Sequence, residues 1–269
     1  MIKKNYLKDL NKSKKPFIIY RSNKGFDLYT NFSKKIFLTK NNIEKFINQS
    51  TKLKSKNKET DLFIGFFGYE ILNNLIGIKI KKQKGLKFPK GIFYKPESKI
   101  KLPKKINYKN LETIRSNKIF KININKASYK VIFDKFKKKI KSGETYQIKI
   151  CTKYRNKTQI DALDFFCRLV KSNMAPEAFM IKDKDYSIIS CSPENLINKK
   201  NDFITTKPIA GTLKKTKKLN KIKALAFFKK NIKETKEHNM IVDMERSDLS
   251  RICKSGSVKI LKKKIVEEY

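Results

Sequence analysis

The stretch KETKEHNMIVDMERSDLSRI, residues 233–252, combines a pair of carboxylates with the single histidine of the chain. Glu234 and Glu237 are three positions apart, so on a helix both side chains project from one face. Composition alone favours a solvated face on which they pair with Lys233 and Lys236. The apolar run MIVDM that follows indicates instead that this end of the helix enters the core. Two carboxylates there would repel each other unless a cation lay between them, and Mg²⁺ suits such ligands.

Two segments closer to the N-terminus could contribute to the same chemistry. SPEN, 192–195, follows the strand-like run YSIISC, and a glutamate just after a strand end can be held at the rim of a cleft. KPIAGT, 207–212, combines a strand end with a turn of small residues. Ala210 and Gly211 would let the backbone approach a ligand closely, and Thr212 adds a hydroxyl group. Each segment alone is weak support for a site, because a turn with Pro or Gly is usually only a turn.

The elements that must position these segments alternate between helical and strand-like patterns. Apolar spacing predicts helices at 127–143, 161–173 and about 222–244. Strand patterns are predicted at 16–22 and 26–32 as a hairpin, near GIFYK, at 144–154, and in the runs EAFMIKD, YSIISCS and DFITTKP. The run FIGFFGYEILNNLIG mixes both patterns. Strands and helices in mixed order, with neighbouring strands joined as hairpins, predict an α+β fold with antiparallel sheets.

Composition limits the classes of function. The chain has 269 residues, of which 39% are hydrophobic, and this is enough apolar material for a core. Its formal net charge is +42, which suggests an anionic partner. Nearly all of the positive charge is lysine scattered through every segment, whereas proteins that recognise nucleic acids favour the bidentate fork of arginine. We therefore expect no nucleic-acid partner, and an enzyme for an anionic small molecule would gain from the same field.

The cysteines and the apolar segments favour a cytoplasmic protein without a zinc site. The four cysteines form no CxxC pair, and one histidine is too few for a typical zinc site, so we expect free thiols in a reducing compartment. The apolar run after the basic N-terminus is too short for a signal peptide. The most apolar stretch, residues 62–78, is interrupted by Glu70, Asn73 and Asn74 and is not expected to span a membrane.

In several segments that keep a common order, the chain resembles the chorismate-utilising enzymes, especially anthranilate synthase component I and aminodeoxychorismate synthase component I. The segments are SGETYQIKI (142–150), NMAPEAFMI (173–181), CSPENLI (191–197), TTKPIAGT (205–212), KETKEHNMIVDMERSDLSRICKSGSVKI (233–260) and VEEY (266–269), with GFFGYE (65–70) as a weaker match. The resemblance implies a two-lobed α+β fold, an antiparallel β-sandwich flanked by helices. It also implies an N-terminal region at 1–118 and the first part of the chorismate-binding catalytic domain at 119–269.

The resemblance also implies a reaction and its residues. The family adds ammonia to chorismate, with Mg²⁺ bound to the substrate carboxylate, and then eliminates pyruvate; a glutamine amidotransferase subunit supplies the ammonia. By position, Glu194 is the catalytic glutamate, Glu237 a direct Mg²⁺ ligand and Glu234 a water-mediated one. Gly211 and Thr212 lie against the substrate. The acidic pair would thus hold the cation that holds a dianionic substrate, and His238 would be structural.

Two further positions bear on the reaction type. Relatives that form isochorismate or salicylate carry a lysine, the base for water, at the position of Gln147, so the resemblance disfavours water as the nucleophile. Aminodeoxychorismate synthases often carry lysine at the position of Ala210, which favours anthranilate as the product. The alternatives are aminodeoxychorismate synthase and, from another class, a non-catalytic basic nucleic-acid-binding protein.

The chain also departs from the family. It lacks the Leu-Leu-Glu-Ser motif of tryptophan-inhibited enzymes, which favours the para-forming alternative, and Ser247 replaces the usual Asn of the Arg-Asn-Asp-Leu motif. It stops at Tyr269, before a histidine-containing motif and a second pair of Mg²⁺-binding glutamates. We therefore expect the chain to be an incomplete enzyme, inactive and poorly stable by itself.

Overall fold

The computed structural model describes residues 6–22, 24–51, 59–78, 88–106, 108, 120–158 and 160–268. Over these residues the chain forms helices and strands in mixed order. The helices are α1 Tyr6–Lys12, α2 Ile43–Thr51, α3 Tyr69–Leu75, α4 Lys126–Lys141, α5 Ala162–Ser172, α6 Lys221–Lys230 and α7 Ile232–Ser250. The strands are β1 Phe17–Ser22, β2 Gly25–Phe37, β3 Ile64–Phe67, β4 Gly91–Leu102, β5 Lys121–Ile122, β6 Tyr154–Arg155, β7 Glu177–Lys182, β8 Ser187–Ser192, β9 Asn198–Lys200 and β10 Phe203–Thr205.

The chain divides into two compact units, of which the first comprises residues 1–108 and 166–269 and the second residues 109–165. The first unit contains a six-stranded sheet in the order β3-β4-β2-β1-β7-β8, in which every neighbouring pair is antiparallel. The predicted hairpin at its centre is confirmed as β1 and β2. The first residue of β2 is Gly25, and only glycine fits there because a Cβ would lie 2.3 Å from the carbonyl oxygen of Leu102.

Cross-strand pairs of apolar side chains form the core of this sheet. Ile18 in β1 lies opposite Tyr29 in β2 and Ile181 in β7, and all three are buried together with Ile92 and Tyr94 from β4. Side chains alternate between the faces of a strand, so this register presents one continuous apolar face. Complete burial of one such side chain contributes about 1.5–3 kcal/mol. These pairs hold β7 in the sheet, and β7 in turn pairs with the edge strand β8, which leads to the site.

The second unit contains α4 and the short strand pair β5–β6. Asn125 caps the start of α4 by accepting a hydrogen bond from the backbone nitrogen of Ser128 at 2.8 Å, so the helix predicted at 127–143 is confirmed. The strand predicted at 144–154 is wrong. Residues 144–153 are irregular, and only Tyr154 and Arg155 pair with β5. Alternating side chains define two faces, but a strand also needs a partner for its backbone groups.

The region predicted as one long helix at 222–244 is two helices. Asn231 separates α6 from α7: its backbone N–H donates to Phe227 and Phe228, and its side chain accepts from the Glu234 backbone nitrogen at 3.3 Å. Asparagine is a favoured N-cap residue, so it starts a new helix at Ile232. The α+β class with an antiparallel sheet is confirmed. The ambiguous run FIGFFGYEILNNLIG, residues 63–77, contains β3 followed by α3. In the described parts of the chain, no helix combines the length and apolar composition that crossing a membrane requires.

Candidate functional site

Glu194 lies in the loop that follows β8, and a local turn shapes this loop. The Ser192 hydroxyl accepts a hydrogen bond from the Glu194 backbone nitrogen at 3.3 Å and donates to the Glu194 carbonyl oxygen at 3.0 Å. The exposed Glu194 side chain then reaches the PIAGT turn, where its Oε1 accepts a hydrogen bond from the Ile209 backbone N–H at 2.8 Å. The carboxylate of the SPEN loop is therefore attached directly to the small-residue turn.

Gly211 brings the same turn against the start of α7. Its φ of +79° lies in the left-handed region, which favours glycine. A Cβ at this position would lie 2.8 Å from Cε1 of Phe228 in α6 and 3.1 Å from Oε2 of Glu234 in α7. Only a residue without a side chain fits between these groups. The structure thus places the half-buried Glu234 carboxylate beside the turn.

Three of the predicted site residues, Glu194, Gly211 and Glu234, are consequently joined through one turn within the first unit. Ala210 and Thr212 flank Gly211, with Ala210 half-buried and Thr212 exposed. Glu237 follows Glu234 by three residues on α7, as predicted, and its side chain is exposed. The contacts that join the three residues do not include Glu237. Gln147 belongs to the second unit, where its side chain is exposed.

The acidic residues of the site match the preferences of Mg²⁺ for ligands, although they do not form a complete site by themselves. Among the residues that the structure describes, no group of three or more His, Cys, Asp and Glu side chains could hold a metal ion. Mg²⁺ commonly takes only one or two carboxylates and completes its octahedron with waters and substrate oxygens. The Glu234 and Glu237 pair fits this donor set. Nδ1 of His238 is buried without a hydrogen-bond partner among the described atoms.

Thr206 connects the site to the middle of α7, a link that was not predicted from the sequence. Its hydroxyl oxygen lies 3.0 Å from the carbonyl oxygen of Leu196, next to the SPEN loop, and it also hydrogen-bonds the Glu245 carboxylate. Thr206 therefore joins the loop, the strand end before the PIAGT turn and the helix. Glu245 belongs to the MERSDL part of the α7 motif, which was the available indication that the helix contributes more than Glu234 and Glu237.

Glu267 and Glu268, in the described part of the VEEY motif, contact both flanks of the turn. Lys207, before the turn, lies 2.6 Å from Glu267, and Lys215, after it, hydrogen-bonds Glu268. The hydrogen bond from Lys215 lowers the pKa of the exposed Glu268 carboxyl group. Two lysines of the basic surface are thus used to attach the end of the chain beside the turn. Two further groups of the site were not predicted from the sequence. The Ile209 N–H contributes through a backbone atom, and the Phe228 ring contributes through packing against Gly211.

Comparison with known proteins identifies relatives of this chain. The family described as chorismate binding enzyme matches residues 5–269. Aminodeoxychorismate synthase component 1 of Bacillus subtilis is 34% identical over 137 residues, which cover 51% of this chain and 29% of that protein. An anthranilate synthase component I-like protein of Synechocystis is 27% identical over 233 residues, which cover 77% of this chain and 48% of the relative. The chain spans less than half the length of both relatives.

A solved structure supports the fold. Anthranilate synthase component I from Streptococcus pneumoniae TIGR4 superposes with a TM-score of 0.69 at 23% sequence identity, over 94% of this chain and 63% of that one. At this level of identity the similarity concerns the fold. The part of the solved chain that the match covers therefore has the same architecture as the residues described here.

Proposed function

The chain belongs to the chorismate binding enzymes, and from this membership we propose that it acts on chorismate in the manner of anthranilate synthase component I. The proposed reaction adds ammonia to chorismate with loss of the substrate hydroxyl as water and then eliminates pyruvate, which leaves anthranilate. The observation that carries this proposal is the turn at Gly211, which has the Glu194 carboxylate hydrogen-bonded to one side and the Glu234 carboxylate against the other. A turn of small residues between two carboxylates is a suitable binding surface for an anionic substrate that is held through a cation.

Glu194 is the proposed acid–base residue. Loss of the substrate hydroxyl requires a positioned group that can deliver a proton to the departing oxygen, and a carboxyl group can do so. The hydrogen bond from the Ile209 N–H to Oε1 restrains the side chain, so that Oε2 is the oxygen that transfers the proton. Ala210, Gly211 and Thr212 would line the substrate, because a backbone without a large side chain allows a ring to approach closely.

Glu237 directly, and Glu234 through a water molecule, are the residues proposed to hold Mg²⁺. When bound, the ion would neutralise the substrate carboxylate and stabilise negative charge that develops in the reaction. Without it, the two carboxylates would repel a dianion. The net charge of +42 attracts the same dianion from a distance, so the acidic pair lies within a generally favourable field.

The remaining assignments follow from the same membership. We propose that residues 119–269 form the first part of the chorismate-binding domain and residues 1–118 the region that precedes it, within a two-lobed β-sandwich. A glutamine amidotransferase subunit is the proposed source of ammonia, and the relatives that are named as first components of their enzymes support a second component. Gln147, which cannot serve as a base for water, supports ammonia as the nucleophile, and the cytoplasm is the proposed location.

Aminodeoxychorismate synthase is the second candidate function. The observation in its favour is the 34% identity to the Bacillus subtilis protein of that name. Both reactions require the same acid, metal ligands and ammonia, so the site residues do not separate them. Ala210 favours the ortho product. Aminodeoxychorismate forms without release of pyruvate and can be separated from anthranilate by chromatography.

The metal assignment is tested by Glu237→Gln in the protein expressed from the complete reading frame, with the rest of the family's domain supplied where that frame ends at Tyr269. Pyruvate release from chorismate and ammonia is measured against Mg²⁺ concentration. We expect the rate of pyruvate release to fall at least about a hundredfold. Removal of a group that only hydrogen-bonds a metal ligand typically lowers activity by less. Glu44→Gln, which changes an exposed glutamate at the start of α2, is the control. An unchanged Mg²⁺ titration in Glu237→Gln would refute the assignment.

A further inference from the structure

Glu177 forms a bridge between the central sheet and the loop that carries Glu194. It is the first residue of β7 and lies opposite Ser192, the last residue of β8, so it sits where the hairpin ends and the loop begins. The two oxygens of its half-buried carboxylate have different partners. Oε2 accepts a hydrogen bond from the Tyr20 hydroxyl, and Oε1 accepts one from Nδ2 of Asn195 at 3.2 Å.

Tyr20 attaches this bridge to a central strand of the six-stranded sheet. It lies in β1 opposite Phe179, which makes Glu177 its diagonal neighbour on the same face of the sheet. β1 has paired strands on both sides, β2 and β7. Burial of the phenol, together with the hydrogen bond to Glu177 and the charge of Glu177, raises the pKa of Tyr20. The hydroxyl therefore remains protonated and donates to the carboxylate throughout the neutral range.

Asn195 is the residue next to Glu194, so the bridge gives the loop a second restraint besides the Ser192 turn. The Ser192 hydroxyl hydrogen-bonds the N–H and the carbonyl oxygen of Glu194, while the Asn195 side chain ties the following residue to the sheet. Glu194 itself is exposed. A restrained backbone favours its hydrogen bond to the Ile209 N–H, because an exposed glutamate side chain otherwise samples several rotamers.

We propose that Tyr20 and Glu177 are positioning residues that hold the SPEN loop, through Asn195, in the conformation where Glu194 meets the PIAGT turn. The effect on catalysis rests on the proposed function of Glu194, whereas the effect on loop geometry does not. Tyr20→Phe should loosen the loop while leaving the ring and its packing in place. Glu177→Ala should loosen the loop in the same way. Glu177→Gln should loosen it less, because the amide keeps one acceptor oxygen.

The geometric part is tested by amide hydrogen exchange of Ile209, measured by NMR on ¹⁵N-labelled protein. We expect exchange in Tyr20→Phe and Glu177→Ala to be about tenfold faster, the factor that corresponds to loss of one ordinary hydrogen bond. Tyr186→Phe is the matched control, because it removes a half-buried hydroxyl that contacts the Asp183 carboxylate at the opposite end of the same hairpin. Ile209 exchange at the wild-type rate in both variants, or equal acceleration throughout β7, would overturn the proposal.

The catalytic part is tested on the complete enzyme with chorismate, ammonia and Mg²⁺. We expect Tyr20→Phe to lower kcat about tenfold with little change in KM, and Glu177→Gln to recover part of the activity that Glu177→Ala loses. Faster Ile209 exchange with unchanged kcat would refute the role of Glu194 in the chemistry while leaving the positioning contact intact. Unchanged exchange with lowered kcat would refute the positioning route.

Discussion

Gly211→Ala is the substitution with the clearest consequence for the site. Gly211 has a φ of +79°, and an added Cβ would lie 2.8 Å from the edge of the Phe228 ring. Gly256 has a similar φ of +72°, but a Cβ there would meet nothing within 4 Å. The two glycines therefore form a matched pair, since alanine costs the same backbone strain at both positions and meets a close neighbour only at Gly211.

The expected magnitude follows from these two contributions. Alanine in the left-handed conformation costs about 1–2 kcal/mol of stability at either position. Overpacking against Phe228 and the Glu234 carboxylate adds about 1–3 kcal/mol at Gly211 only. With a urea dependence of about 2 kcal/mol/M, the midpoint of Gly211→Ala should lie about 0.5–1.5 M below that of Gly256→Ala.

Urea unfolding of both variants, followed by far-ultraviolet circular dichroism, measures this difference. In the complete enzyme the same displacement of the turn should also reduce turnover by about a hundredfold, because reacting groups misplaced by roughly 1 Å lose that much rate. Equal midpoints for the two variants would refute the close approach of the turn to α6 and α7. Equal turnover of the two variants would show that the contact of the turn with α6 and α7 does not affect the chemistry.

The remaining predictions concern acid stability and the isolated chain. Burial raises the pKa of Asp183, but hydrogen bonds from Lys35 and Tyr94 outweigh it and hold the pKa below its usual value. A depressed carboxyl pKa stabilises the fold above the unfolded value of about 3.9, and this contribution disappears as pH falls below it. Melting temperatures should therefore fall more steeply below about pH 4 in the wild type than in Asp183→Asn, and parallel curves would contradict the ion pair. The 269-residue chain should bind a hydrophobic dye, because Leu196, Phe203 and Ile222 are 83%, 76% and 78% exposed. Dye fluorescence no higher than that with a globular control protein would contradict this expectation.

Residue patterns predicted the elements of this fold where local chemistry decides the structure. The hairpin of β1 and β2 and helices α4 and α5 have clear periods of two and 3.6 residues in the sequence. Residues 144–153 have the alternation of a strand but remain irregular, because pairing depends on a partner that side-chain alternation does not specify. Asn231 could have been read as a helix start from the cap preference of asparagine.

The site was predictable in its residue types but not in its contacts. SPEN, PIAGT and the acidic pair were distinguishable because a glutamate after a strand, a small-residue turn and carboxylates at helical spacing each have a physical use. Their meeting depends on the Ile209 N–H and on the space that Gly211 leaves beside Phe228. A backbone donor is present at almost every position, so its partner can be identified only when the loops are folded.

The central claim is that Glu194 serves a chorismate lyase that uses ammonia. The most direct measurement is product analysis of the complete enzyme with chorismate, excess ammonia and Mg²⁺, in the wild type and in Glu194→Gln. We predict equal amounts of pyruvate and an aminobenzoate from the wild type, with anthranilate identified by its fluorescence and retention time, and loss of both products in Glu194→Gln. Isochorismate or salicylate as the main product, or wild-type turnover in Glu194→Gln, would contradict the account.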